Sequence, residues 1–418
     1  MNAPPLDGVR VLDCTQFMAG PFCTLLLADM GADVIKVERP QGGDDVRRAA
    51  PEINGVSAPF LIINRNKRSL AIDIKAPDGR DAFKRLASTT DVIVENFRPG
   101  TLSRLGLGYE ELSPLNPALI FCSISGFGQT GPYSHRGGFD LVAQGMSGIM
   151  SVTGAPGSGP VKVGVPITDL AAGMYGANAV MAAYIHRLKT GQGQRIETSL
   201  LEAGIALTFW ETAIYWATGE LPVPMGSAHR LNAPYQALKC QDKYITVGAA
   251  NQNNWERLAR ALGRQELMTD PRFETDPSRR QNYLELAQEL ESTLLTRPAD
   301  HWLPLLEDAG VPSGPINTMA EVYEDPHVLD RGMVAHLDHP VAGPIKTIGF
   351  PVKFSQTPVQ FRRPAPLLGQ HTEDVLREGG FTGQEIAALV QSGAVKSVQS
   401  AEPPKQEGAG NLGSLPGV

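Results

Sequence analysis

The stretch VRVLDCTQFMAGPFCTLLLADMGADVIKVERP, residues 9–40, decides the fold class. VRVLD and DVIKVE are short β-branched runs, each long enough for one buried strand. Between them PFCTLLLADMGA reads as a helix, with Pro21 suited to its first turn and Gly31 to its stop. A strand, a helix and a second strand within about thirty residues make a βαβ unit, which requires a parallel sheet. Working outward, LAIDI from Leu70, DVIVEN from Asp91 and LIFCSIS from Leu119 repeat the pattern. The fold class is therefore α/β, layered around an open, mainly parallel sheet.

The segment after Asp169, LAAGMYGANAVMAAYIHRLKTGQG, is small and apolar almost all round and ends at Gly191, as expected of a buried helix. QRIETSLLEAGIALTFWETAIYWATG continues as a strand and a helix; Trp210, Trp216 and Trp255 read as packing residues. Near Leu221 the texture changes. LPVPMGSAHRLNAPYQALK is rich in turn formers and reads as a linker. A smaller α+β unit follows, with a strand at 244–249 and helices near 255–262, 284–295 and 302–309. Short strands return from Val334, with helices at 372–378 and from Gly383. We expect a large domain from 1–220 and 334–400, a linker and small domain at 221–333, and a disordered tail at 401–418.

A net charge of −7 opposes nucleic-acid binding, which needs a basic face. The four cysteines show no metal-ligand or disulfide spacing, so no metal site is expected and a reducing compartment is favoured. The first residues carry no signal-peptide pattern, and apolar runs stop well short of ~18 residues. The expected location is the cytoplasm, without membrane attachment.

Four places carry candidate chemistry. The loop CTQFMAGPF joins a strand to a helix N-terminus, a setting that favours anions. It lacks the GxGxxG spacing, which weakens a nicotinamide dehydrogenase reading. Arg39, Lys75, which ends the run LAIDIK, and Arg98 stand at three strand ends, where a parallel sheet binds ligands; with Arg104 they read either as a polyphosphate site or as surface charge. Asp169 stands where a strand meets the long helix and reads as an N-cap, as a nucleophilic carboxylate kept ionised by the helix end, or as both. Ala171, Ala172 and Gly173 after it would let a ligand approach closely. In GFGQTGPYSHRGGFDLVAQG, Asp140 suits orientation of a substrate or cofactor, or a helix cap. His229, in SAHRLNAPYQ, reads as a linker or interface residue.

Together VRVLDCTQFMAGPFCTLLLADMGADVIKVERP, NRNKRSLAIDIK, DVIVENFRPGTLSRLGLGYEELSPLNPALIFCSISGFGQTGPY, VPITDLAAGMYGA and RPAPLLGQHTEDVL resemble the class III CoA-transferases, a family that also holds α-methylacyl-CoA racemase. The resemblance implies a Rossmann-like large domain built from both chain ends, an interlocked homodimer, acyl-CoA and carboxylic acids as substrates, and Asp169 as the catalytic aspartate carrying an aspartyl-CoA thioester. It implies CoA contacts at Met18, Ala19, Arg39, Ile72, Lys75, Asn96, Phe97, Arg98, Arg104 and Asp140. The racemase branch carries His just before the position of Asp140; here it is Phe139, against α-carbon proton exchange. The formyl-CoA branch carries a glycine run where this chain reads HRLNAPYQALK. SAHRLNAPYQ is similar instead to members that use succinyl-CoA and dicarboxylic acids. The alternatives are a 2-methylacyl-CoA racemase and, from another class, an acyl-CoA-binding regulator without turnover.

Overall fold

A computed structural model describes residues 3–397. The sequence reading of a tail at 401–418 lies outside them, as do residues 398–400 of the expected large domain.

Seven strands form the main sheet: β1 (Arg10–Cys14), β2 (Asp33–Glu38), β3 (Arg68–Ile72), β4 (Val92–Glu95), β5 (Ile120–Ser125), β6 (Arg195–Ser199) and β12 (Val395–Lys396). Their order is β12-β3-β2-β1-β4-β5-β6. The first six are parallel, and β12 runs antiparallel beside β3, so the sheet is mixed. The strand order reverses between β1 and β4, so a crevice opens beyond their carboxyl ends.

Alternation along each strand feeds two cores. Val11, Val34, Val92 and Val94 face one side, under α1 (Ala19–Asp29) and α4 (Ile167–Thr190). Leu12, Ile35 and Ile93 face the other, under α2 (Pro77–Ala87), α10 (Thr372–Glu378) and α11 (Gly383–Gln391). Val375, Leu376, Ile386 and Val395, late in the sequence, thus share a core with Leu12. The shift from β periodicity to helical periodicity in the sequence reflects this layering. Helix α4 closes at Gly191, whose φ of 76° is left-handed and suits glycine.

A separate core, built around Trp255, Leu258, Leu290 and Leu306, lies within residues 233–311. It comprises the antiparallel strands β7 (Tyr235–Lys239), β8 (Tyr244–Gly248) and β9 (Ser313–Pro315), with α7 (Gln252–Ala261), α8 (Tyr283–Leu294) and α9 (Ala299–Asp308). The strand β7 falls inside the segment read from sequence as a linker. A hairpin of β10 (Val334–His339) and β11 (Gly343–Ile348) follows.

Two sequence expectations are corrected here. Trp255 is buried, but Trp210 and Trp216 are exposed on α6 (Phe209–Thr218), a helix that buries none of its residues. Ala171, Ala172 and Gly173 do not clear a path for a ligand; they are buried against α1. A Cβ on Gly173 would come within 2.7 Å of the Ala19 carbonyl and 3.0 Å of the Phe22 ring. Backbone meets backbone there, so the glycine sets the spacing between the two helices.

Gly173→Val is expected to overpack this contact and to destabilise the chain by about 1–3 kcal/mol. Chemical denaturation measures it, and an unchanged midpoint would show that α1 and α4 can separate freely.

Candidate active site

At the crevice between β1 and β4 the chain turns sharply after each strand. The backbone N–H of Gln16 donates to Asn96 Oδ1 at 2.8 Å, and Asn96 Nδ2 donates back to the Gln16 carbonyl at 2.8 Å. This reciprocal pair ties the two turns together. Phe17 is left-handed (φ 61°), and its N–H donates to Asp44 Oδ1 at 3.3 Å. Met18 then begins α1 without a side-chain cap. Among the described residues, the amides of Met18 and Ala19 find no acceptor, as expected of a first helical turn.

Beneath the turn lies a charge network. Lys67 Nζ donates to Asp13 Oδ2 (3.0 Å), to the Pro21 carbonyl (2.9 Å) and to Asn64 Oδ1 (3.0 Å). Lys36 Nζ donates to the Thr15 carbonyl at 3.0 Å and pairs with Asp44 at 2.8 Å. Asp13 also accepts from the Thr15 amide (3.0 Å), from the Thr15 hydroxyl and from Thr24 Oγ1 (2.7 Å). Burial opposes the charge on Asp13, but Lys67 and Lys36 outweigh it and hold the carboxyl below its ordinary value. Burial pulls Lys67 down to about 8.

Above the turn is a cavity of about 290 Å³. Gln16, Phe17, Met18 and Ala19 line one side, Asn96 and Phe97 another, and Ser125, Gly138, Phe139 and Asp169 close it. Asp169 accepts no hydrogen bond from the described residues. Its neighbour Thr168 is held by Asp140, which accepts from the Thr168 amide at 3.0 Å and from its hydroxyl at 2.8 Å.

A family profile described as CoA-transferase family III matches residues 6–372. The succinyl-CoA:glutarate CoA-transferase of Homo sapiens is 43% identical over 396 residues, 94% of this chain and 90% of that protein. The succinate–glutarate CoA-transferase of Agrobacterium fabrum is 40% identical, covering 90% of this chain and 96% of that one. A solved CAIB/BAIF family protein from Brucella suis superposes with a TM-score of 0.81 at 39% identity, covering 90% of this chain and all of that one. The chain belongs to CoA-transferase family III.

This CoA-transferase moves CoA from an acyl-CoA donor to a carboxylic acid acceptor, so a regulator without turnover is set aside. Of the residues singled out in its sequence, Met18, Ala19, Asn96, Phe97 and Asp169 line one cavity. Arg39, Lys75, Arg98 and Arg104 do not. They are exposed, just beyond the carboxyl ends of β2, β3 and β4, and Arg39 pairs with Asp45. Lys75 stands three residues past β3, which ends at Ile72 rather than running on to the lysine. Ile72 is a core residue, almost wholly shut off from solvent, and does not line the cavity. Asp140 lies at the start of α3 (Asp140–Met146), behind Asp169; it caps α4 and not its own helix. Among the described residues no group of three or more His, Cys, Asp or Glu side chains is placed to hold a metal.

The transferase corrects the reading of Asp169 as an N-cap. Helix α4 begins at Ile167 and its N-cap is Pro166, so Asp169 is the third helical residue and caps nothing. Nor does the helix end keep it readily ionised. Burial, and then the negative charge of Asp140, push its carboxyl up to about 7. The helix dipole offers about 1 kcal/mol to an anion, less than the several kcal/mol lost when a carboxylate is desolvated. Sequence reasoning also missed Lys36, Lys67 and Gln144. Lys67 stood inside NRNKRSLAIDIK, but nothing in the pattern marked which lysine turns inward.

Because the folded pKa of Asp169 lies above its unfolded value, the folded chain holds the extra proton between about pH 4 and 7, and this stabilising contribution fades as pH rises through 7. Asp169→Asn is therefore expected to stabilise the protein at pH 8 by about 1–3 kcal/mol and far less at pH 4.5. Thermal melts at the two pH values check this; equal shifts would contradict it.

Proposed function

We propose that this transferase carries CoA from succinyl-CoA to another small dicarboxylic acid through a thioester on Asp169. One observation carries the reading: Asp169, a carboxylate without a hydrogen-bond donor among the described residues, shares a cavity with Met18 and Ala19, whose amides have no partner among those residues. The amides of Gln16 and Phe17 are already engaged, which leaves Met18 and Ala19 as the donors for an oxyanion. The human and Agrobacterium relatives, both named for glutarate and a succinyl donor or succinate, support a dicarboxylate pair.

In the proposed cycle an Asp169 oxygen attacks the donor thioester carbonyl. The carbon–sulfur bond breaks, releasing CoA thiolate and leaving a mixed anhydride. The thiolate attacks the aspartyl carbonyl, and the donor acid departs as a carboxylate. The acceptor carboxylate then attacks the aspartyl thioester, releasing thiolate again. Attack of that thiolate on the acceptor's acyl carbon frees Asp169 and yields the new acyl-CoA. Every step exchanges one acyl bond for another, so exclusion of water is what prevents hydrolysis.

Arg39, Lys75, Arg98 and Arg104 would hold the CoA phosphates at the sheet's carboxyl edge, and Asn96, Phe97, Met18 and Ala19 the thiol end. Arg39 would exchange its bond to Asp45 for phosphate. A racemase reading is disfavoured because Phe139, an apolar side chain, lines the cavity where that branch carries a base. The exposed Phe209, Trp210 and Trp216 on α6 support a homodimer, which the family resemblance describes as interlocked. Four buried, unbridged cysteines support a reducing location such as the cytoplasm.

Incubation with succinyl-CoA or acetyl-CoA and a panel of carboxylates, with mass spectrometry of the CoA products, tests the specificity. Succinyl-CoA and four- or five-carbon dicarboxylates are expected to react fastest. Asp169→Ala should lower transfer by about 1000-fold or more, and hydroxylamine should mark Asp169 only while donor is present. Full activity in Asp169→Ala, or a mark on another residue, would overturn the assignment.

A further inference from the structure

The carboxylate of Asp140 is built into the start of α4. It accepts the Thr168 amide and hydroxyl on Oδ1, and Gln144 Nε2 on Oδ2 at 2.7 Å. Gln144 is itself fully buried, and its oxygen accepts the Val163 amide at 2.8 Å, which anchors the loop leading into α4. Three bonds thus tie the Asp140 carboxylate to α4 and Gln144, and Asp140 does not line the cavity. Its charge is fixed one residue away from Asp169.

We propose that Asp140 is a positioning residue, not a CoA ligand: it fixes the first turn of α4 and, adding to burial, sets its negative charge against a free Asp169 carboxylate, which favours the acylated enzyme. The proposal rests on Asp169 being the nucleophile. The elements packed on α4 offer no compensating cation. On α1, Asp29 is bound to Arg65; on α5 (Leu200–Leu207), Glu202 is tied to Ser199; β5 carries no charged residue. On β6, Arg195 pairs with Glu197, while Lys162 of the preceding loop is exposed and bonds its neighbour's carbonyl. Arg187, at the far end of α4, pairs with Asp91. Among the described residues, Asp140 is the charged group that acts on Asp169, and it acts in the same direction as burial.

The consequence is chemical. In the mixed anhydride, thiolate can attack either carbonyl, and the weaker base departs more readily. An ordinary carboxylic acid titrates near about 4, whereas Asp169 is pushed up to about 7. The donor acid is then the better leaving group, and the anhydride collapses toward the aspartyl-CoA thioester. The same bias favours the loaded enzyme at equilibrium, since a more basic carboxylate gains more by becoming a thioester. CoA is thereby parked on the protein, and the donor acid can leave before the acceptor enters.

The test is Asp140→Asn, with Asp140→Ser as a second variant that keeps a neutral acceptor near the Thr168 amide. In protein labelled with ¹³C at the aspartate carboxyls, the Asp169 signal is assigned by its loss in Asp169→Asn and titrated. Its midpoint is expected to fall by about one pH unit in either folded variant, and the aspartyl thioester trapped at steady state by up to about tenfold. KM for acyl-CoA should be unchanged. An unmoved midpoint in both variants overturns the proposal, and a raised KM with that unmoved midpoint would make Asp140 a CoA ligand. Absence of any trapped thioester in the unmodified enzyme would instead remove the nucleophile reading, while the titration still decides what Asp140 does to Asp169.

Discussion

Asp13, Lys36, Asp44 and Lys67 are charged side chains almost wholly shut off from water, and the turn after β1 depends on them. Burying an ion costs several kcal/mol, so such a group persists only where partners surround it. Here Lys67 has three acceptors, and Asp13 receives bonds from Thr15, Thr24 and Lys67. The attachment points explain the arrangement. Lys36 holds the Thr15 carbonyl, Asp44 holds the Phe17 amide, and Lys67 holds the Pro21 carbonyl. Each fixes backbone within or beside the turn, and none needs to touch the cavity. A dinucleotide-binding fold shapes this turn with glycines; this chain does it with buried charge.

That choice determines which amides remain free. With Gln16 committed to Asn96 and Phe17 to Asp44, Met18 and Ala19 are left without acceptors. Helix α1 starts from these residues and lies against α4 through Gly173, so the Met18 and Ala19 amides and Asp169 are held at one spacing. A single glycine contact couples the two halves of the site because backbone cannot yield as a side chain can.

The sheet was legible because each strand is a short β-branched run bounded by turn formers; β2 was read to the residue, and α10 likewise. The strand β7 was not, since YQALK lacks β-branched residues and sits among prolines and glycines. Trp210 and Trp216 were read as core because their type favours burial, whereas α6 presents them outward. Asp169 stood out at a strand–helix junction and Met18 lay in a loop read as favouring anions, but Asn96 was named only through the family resemblance. The helix start at Ile167 was obscured by Pro166 and Val165, which gave no capping signal and made the aspartate look like the cap. The buried lysines were illegible for a simpler reason: a lysine in a strand reads as solvated unless its partners, here far off in sequence, are known.

The placement of Asp169 in the third position of α4, and not at its cap, suits the role proposed for it. A capping carboxylate directs an oxygen at the helix amides, and those bonds make it a weaker base toward a carbonyl. One turn position further on, the amides behind it are served by others: Asp140 takes the Thr168 amide, and Asp169 stays unbonded. The cost is an uncompensated, half-buried acid whose carboxyl rises to about 7. Helix α4 can carry that cost because its 24 residues are anchored along α1, α5 and the sheet, with Gly176 and Ala177 packed as closely as Gly173. The strain of an unsatisfied carboxylate is thus confined to the cavity, where the proposed cycle would release it by forming a bond to substrate.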